Sequence, residues 1–117
     1  MSHQSIAPTT QQDLDRLFAN VALLNDDGTI TQVNRAWQTF ANANHCAMND
    51  YGVGSNYLQI CDTAANTGLE EARMVAAGIR QVISGHCKRW VYHYEDGWRV
   101  ECWQVASGLI VAHFPID

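Results

Sequence analysis

Trp37, Tyr57, Trp90, Tyr92, Tyr94, Trp98 and Trp103 are the side chains of this sequence best suited to holding a ligand. Buried rings offer large contact area at low entropic cost and stack on a planar molecule such as a flavin. The same rings also fill a small core against a sheet, so residue type alone leaves both uses open. Strand alternation sorts some of them: over 89–95, Trp90, Tyr92 and Tyr94 fall on one side and Arg89, Val91, His93 and Glu95 on the other. The aromatic side is expected to face inward, which leaves His93 outside. Asn34 and Asn56 have two uses each, capping a helix with the side-chain oxygen or hydrogen-bonding a ligand.

Other chemistry is thinly represented. Cys46, Cys61, Cys87 and Cys102 never form C-x-x-C, so neither zinc-ribbon spacing nor a thioredoxin-type pair is present, and the expected role is that of reduced, small hydrophobes. His45-Cys46 and His86-Cys87 are adjacent pairs without further ligands. His113 shares its side of the last strand with Leu109 and Val111 and is expected to be partly buried. No G-x-S-x-G, H-E-x-x-H, G-x-x-x-x-G-K or C-x-x-C-H occurs, so no catalytic residue and no metal site is assigned, and the domain itself is not expected to be an enzyme.

The elements that must position these residues follow from periodicity. Leu14, Leu17 and Phe18 form an apolar helical stripe after Thr10-x-x-Asp13, a helix-start pattern. VALLND and TITQV flank Asp27-Gly28, a dipeptide suited to a primed hairpin turn. Asn34 then opens a helix that places Trp37, Phe40 and Ala41 on one face. Residues 42–54 read as a loop with at most a helical turn. Tyr57 or Leu58, Cys61 and Ala65 suit a further helix. Thr67-Gly68-Leu69-Glu70 reads as a capping box before a longer helix with Leu69, Ala72, Ala76, Ile79 and Ile83 on its stripe and Gly85 as its C-terminal cap. Beyond Gly85, CKRWVYHYE, WRVECWQVA and LIVAHF, joined at Asp96-Gly97 and Ser107-Gly108, read as a three-stranded meander. The sum is an α+β domain: a five-stranded antiparallel sheet with helices on one face. Residues 1–12 are expected to be a flexible lead-in and 13–117 a single domain.

At 117 residues, with 47% hydrophobic and 16% charged residues, the chain has the composition of one globular domain. No apolar run is long enough to span a bilayer, and the first ten residues lack the pattern of a signal peptide, so a cytoplasmic location without membrane insertion is expected. Only seven Lys and Arg and a formal charge of -5 argue against a nucleic-acid partner.

Taken in order, these segments resemble the PAS domain of bacterial sensory-box proteins, over about Leu14 to Asp117. DDGTITQVNRAW resembles the family's D-G-x-I hairpin running into N-x-A. GVGSNYLQIC is similar to its G-x-N-Y-L segment, AAGIRQVISG to its long helix, and LIVAHFPID to its last strand and D-I-T-like tail. The resemblance implies a small pocket between helices and sheet. Its candidate lining residues are Asn34, Trp37, Phe40, Asn56, Tyr57, Ile60, Ile79, Trp90, Tyr92 and Trp103. It also implies a role in signal transduction, as in two-component systems. A small ligand or cofactor would regulate a covalently linked output domain, a histidine kinase or diguanylate cyclase, in a longer parent protein. Flavin and haem are both used in the family. The flavin–cysteine photocycle is not expected, because Asn56-Tyr57-Leu58-Gln59 stands where photoactive members have N-C-R-F-L-Q. Haem ligation would fall to His45, His86, His93 or His113, since residues 55–84 contain no histidine. A homodimer is expected, with Leu14, Leu17 and Phe18 as contact candidates. The alternative is a fully packed dimerisation or protein-interaction module that binds no ligand.

Overall fold

The computed structural model describes residues 10–17, 19–43 and 49–115. Its elements follow in the order α1 (Gln11–Asp15), β1 (Asn20–Leu24), β2 (Ile30–Val33), α2 (Arg35–Ala43), a 3-10 turn (Asn49–Gly52), α3 (Tyr57–Asn66), α4 (Glu70–Ile83), β3 (Arg89–His93), β4 (Trp98–Val105) and β5 (Gly108–Pro115). The strands form one sheet in the order β2-β1-β5-β4-β3, every neighbouring pair antiparallel. The first hairpin and the last strand thus meet at the centre, Val21 opposite Ala112 and Leu23 opposite Ile110.

The turn between β1 and β2 differs from the primed type that Asp27-Gly28 suggests. Among residues 26–28 only Gly28 has positive φ, +93°. Asn25 N–H donates to the Thr29 carbonyl at 2.9 Å, which closes a three-residue loop. The longer loop is favoured because two side chains satisfy its backbone: Asn25 Oδ1 accepts from Asp27 and Thr29 N–H, and Asp27 Oδ1 accepts from Thr29 N–H and Oγ1.

Alternation along the strands divides the apolar residues into two cores. Ala22, Leu24, Val100, Cys102, Leu109 and Val111 join Leu58, Cys61, Val75, Ile79 and Val82 under α3 and α4. Val21, Leu23, Ile110 and Ala112 point the other way and are covered by Leu14. The longer helices therefore lie on one face as the sequence indicates, while the short α1 crosses to the reverse. α1 begins inside the expected lead-in, at Gln11, and opens with a full capping box between Thr10 and Asp13.

Two helix details depart from expectation. Thr67 does not cap α4; it ends α3, its hydroxyl donating to the Ala64 carbonyl, and α4 starts at Glu70 with no side-chain cap. The buried stripe of α4 is Val75, Ile79 and Val82 with Ala76, so Leu69, assigned to it by spacing, is 55% exposed. Beyond the stripe, a bidentate Arg80–Asp62 pair ties α4 to α3. Both side chains are half exposed, so the pair is worth at most about 1 kcal/mol.

Candidate ligand-binding site

On the helical face, between α2, the 3-10 turn, the start of α4 and the β3–β4 hairpin, lies a cavity of about 380 Å³. This is at the small end of the roughly 300–1,000 Å³ that ligand sites span. Trp37, Phe40 and Ala41 enter it from α2, Tyr51 from the 3-10 turn and Glu71 from the first turn of α4. Tyr94, Asp96 and Trp98 come from the β3–β4 hairpin, and Asn20 and His113 from the sheet.

Each wall is held by identifiable bonds. Asn34 starts α2: its Oδ1 accepts from Trp37 N–H at 2.9 Å, which aims Trp37 along the helix toward the cavity. The Trp37 indole Nε1 donates to the Tyr51 carbonyl at 2.9 Å and so joins α2 to the 3-10 turn. That turn is strained. Asp50 and Tyr51 are consecutive non-glycine residues in the left-handed region, at φ +50° and +57°, each costing on the order of 1–3 kcal/mol. Backbone bonds from Gly54 N–H to Ile30 O and from Ile30 N–H to Ser55 O, both 2.8 Å, fasten the following segment to β2 and hold the strained turn in place. On the opposite wall, Tyr94 N–H donates to the Trp98 carbonyl at 2.8 Å, so the two rings flank one tight hairpin loop.

The rings also contact one another. Phe40 meets Trp98 edge to face at 5.7 Å between centroids, and Tyr94 stacks on His113 at 6.2 Å with 17° between planes. Burial lowers the His113 pKa to about 4, so its imidazole is neutral near pH 7. Burial, and after it the charges of Cys61, Glu71 and Asp96, raises the Tyr94 phenol above its ordinary value.

Of the residues proposed from sequence for the pocket, Trp37 and Phe40 line this cavity and the others are placed elsewhere. Asn34 is fully buried with both ends of its amide engaged by backbone, which leaves it no part in ligand contact. Asn56 caps α3 through Gln59 N–H and donates to the Asp27 carbonyl. Tyr57 packs on the main core beside Cys61, burial raising its pKa well above the usual value. Ile79 is wholly inside that core, and Ile60 is 40% exposed on the outer side of α3. Trp90 and Tyr92 stack with planes 3° apart and pack against the helical core. Trp103 is on the reverse face, under Arg89. Spacing could not separate most of these, because the cavity and the main core share the helical side of the sheet and differ in which helices and turns pack above them.

The dimer candidates are redistributed too. Leu14 is fully buried by its own chain because α1 folds back on the sheet, Leu17 is partly buried beside it, and Phe18 falls outside the described residues. The reverse face carries a network the sequence did not disclose: Arg89 and Arg99 both bond Glu101, and Arg99 also lies 4.2 Å over Phe114. Burial raises the Glu101 pKa, but the hydrogen bonds from Arg99 and Arg89 outweigh it and the net shift is downward.

Neither cofactor used by the resembled family is singled out by these residues. Among the described histidines only His113 lines the cavity, with its ring stacked on Tyr94, while His86 and His93 are exposed and His45 lies outside the described residues. No cysteine is among the described lining residues. Among the described residues no three His, Cys, Asp or Glu gather as a metal site, and no helix is long and apolar enough to cross a membrane.

A β-hairpin, a run of helices and a three-stranded meander whose last strand pairs with the first define the PAS fold. The photoactive yellow protein domain from the sensor histidine kinase Ppr of Rhodospirillum centenum has this fold. It matches with a TM-score of 0.60 over 89% of this chain and 91% of that one, at 9% sequence identity. An uncharacterized 104.1 kDa protein of Rhodobacter capsulatus is 35% identical over 88 residues, 72% of this chain. The chain spans only 9% of that protein's length. No family model matches the chain.

Proposed function

We propose that this chain is a sensory domain that binds a small ligand in the cavity between α2, the 3-10 turn and the β3–β4 hairpin, and thereby regulates an output domain of a longer protein. The observation that carries this reading is the cavity itself, lined by rings from three segments; a purely packed interaction module needs no such space. Ligand would favour one packing of α2 and the hairpin on the sheet, a population shift. His113 lies on β5, the central strand that pairs with both β1 and β4, so a change at the cavity would be felt across the sheet.

The fold likeness to a domain of a sensor histidine kinase and the match to a short part of a 104.1 kDa protein support a covalently linked output domain, a histidine kinase or a diguanylate cyclase. The reading places the protein in the cytoplasm as a homodimer, regulating rather than catalysing, with no nucleic-acid partner in view of the charge of -5.

The deciding experiment is an ultraviolet-visible spectrum of the freshly purified chain, with mass spectrometry of whatever denaturation releases. A stoichiometric small molecule, or a thermal midpoint that rises with an added metabolite, is the expected result. A chain that releases nothing and responds to no member of a broad metabolite set would overturn ligand sensing.

A further inference from the structure

We propose that the cavity selects a small organic cation, an alkylated or aromatic ammonium compound; the proposal rests on the reading that the cavity holds a ligand and adds its chemical class. Three features of the lining converge on this class.

The first is the rings. Trp37, Tyr51, Tyr94 and Trp98 come from three different segments around one space, and the faces of Trp and Tyr attract a cation through their quadrupoles. The second is the charge of the walls. Glu71 and Asp96 contribute carboxylates from α4 and from the β3–β4 loop, and no Arg or Lys is among the described lining residues. An anion would meet two like charges with nothing to pair it, whereas a cation meets complementary ones. The carboxylates also act in the same neighbourhood as the rings, since both contribute to the raised pKa of Tyr94.

The third is that the histidine among the described lining residues, His113, carries no charge at neutral pH, because burial keeps it neutral. A charged imidazolium there would oppose a cation; a neutral ring stacked on Tyr94 extends the aromatic wall instead. The cavity volume of about 380 Å³ admits a molecule of metabolite size.

The test titrates the 117-residue chain at pH 7 by intrinsic tryptophan fluorescence, with Trp37 and Trp98 as reporters on the walls, and by calorimetry. The probes are choline, its neutral carbon isostere 3,3-dimethyl-1-butanol, benzyltrimethylammonium and benzoate. At least one ammonium probe is expected to bind about tenfold or more tighter than the neutral isostere, with benzoate weakest. The double variant Glu71→Gln with Asp96→Asn, shown by circular dichroism to keep its fold, is expected to lose most of that preference. Equal binding of choline and its isostere, or tighter binding of benzoate, would overturn the cation class and leave the ligand pocket standing. No binding by any probe to millimolar concentration would also overturn the cation class, while ligand sensing would then be decided separately by the released-molecule experiment.

Discussion

Gly78 and Trp90 are packed so closely that a Cβ placed on Gly78 would lie 2.1 Å from Trp90 Cδ2 and 2.5 Å from Cε3. The missing side chain is what lets α4 approach β3, and the indole plane fills the space. Gly78→Ala would ordinarily gain about 1 kcal/mol of helix propensity in a helix interior. Here the ring must move, so a net loss of about 1–3 kcal/mol is expected from overpacking. Urea denaturation of Gly78→Ala measures it, and a gain in stability would show that α4 sits further from the sheet.

Asn34 joins α2, which it starts, to α1 and to the beginning of β1, which lie well before it in the chain. Its Oδ1 accepts from Val21 and Trp37 N–H, and its Nδ2 donates to the Leu14 and Ala19 carbonyls at 2.9 Å each. Asn34→Ala strands these buried groups, and a loss on the order of 3–5 kcal/mol is expected. Asn34→Asp keeps the acceptor but turns a carboxylate toward two carbonyls. Its folded pKa is raised, so its stability should recover as pH falls and the protonated acid donates again. Thermal melts of both variants between pH 7 and pH 5 check this; an Asp variant with no recovery on acidification would contradict the buried geometry.

Asn34 also marks the boundary of what the sequence made legible. Its capping role, the existence of the two hairpins, the meander and the inward set Trp90, Tyr92 and Tyr94 follow from local periodicity and turn residues and are found in the structure, although the first turn is a three-residue loop and not the primed type. Its remaining bonds reach residues 13 to 20 positions away, and no local pattern announces them. The same limit hid the lining. Asn20, Tyr51, Glu71 and Asp96 meet only because the chain folds around one space, and nothing in their own segments distinguishes them. Trp103 misled for a different reason. An aromatic in a strand reads as core, but β4 has a core on each side, and register alone put Cys102 on one and Trp103 on the other.

Two of the cysteines should be inert in the folded protein. Burial, and then the charge of Asp62, raises the Cys61 pKa to about 11, and burial raises that of Cys102 to about 12. At pH 8 the thiolate of Cys61 is then roughly a thousandth of the total, too little for fast alkylation. Iodoacetamide treatment of the native chain followed by peptide mapping is expected to leave both unmodified, and treatment in urea to label both. Prompt native labelling of Cys102 would mean that the main core opens far more readily than its packing implies.

The stacked pair Tyr94 and His113 predicts an acid dependence of stability. The folded pKa of His113 is about 4 against 6.5 when unperturbed, so between these values the unfolded chain holds a proton that the folded chain does not. Its contribution is therefore complete above about pH 6.5 and declines as pH falls toward 4. The loss amounts to about 3 kcal/mol as an upper bound from the size of the shift. Glu71 and Asp96, which share the cavity, would soften the decline while ionised, because they favour a charged imidazole. His113→Phe keeps a ring against Tyr94 and removes the titration, so its stability should fall less between pH 7 and pH 4.5 than that of the native sequence. Urea melts across that range measure the difference directly, and parallel curves for the two proteins would mean that His113 titrates as an exposed histidine does.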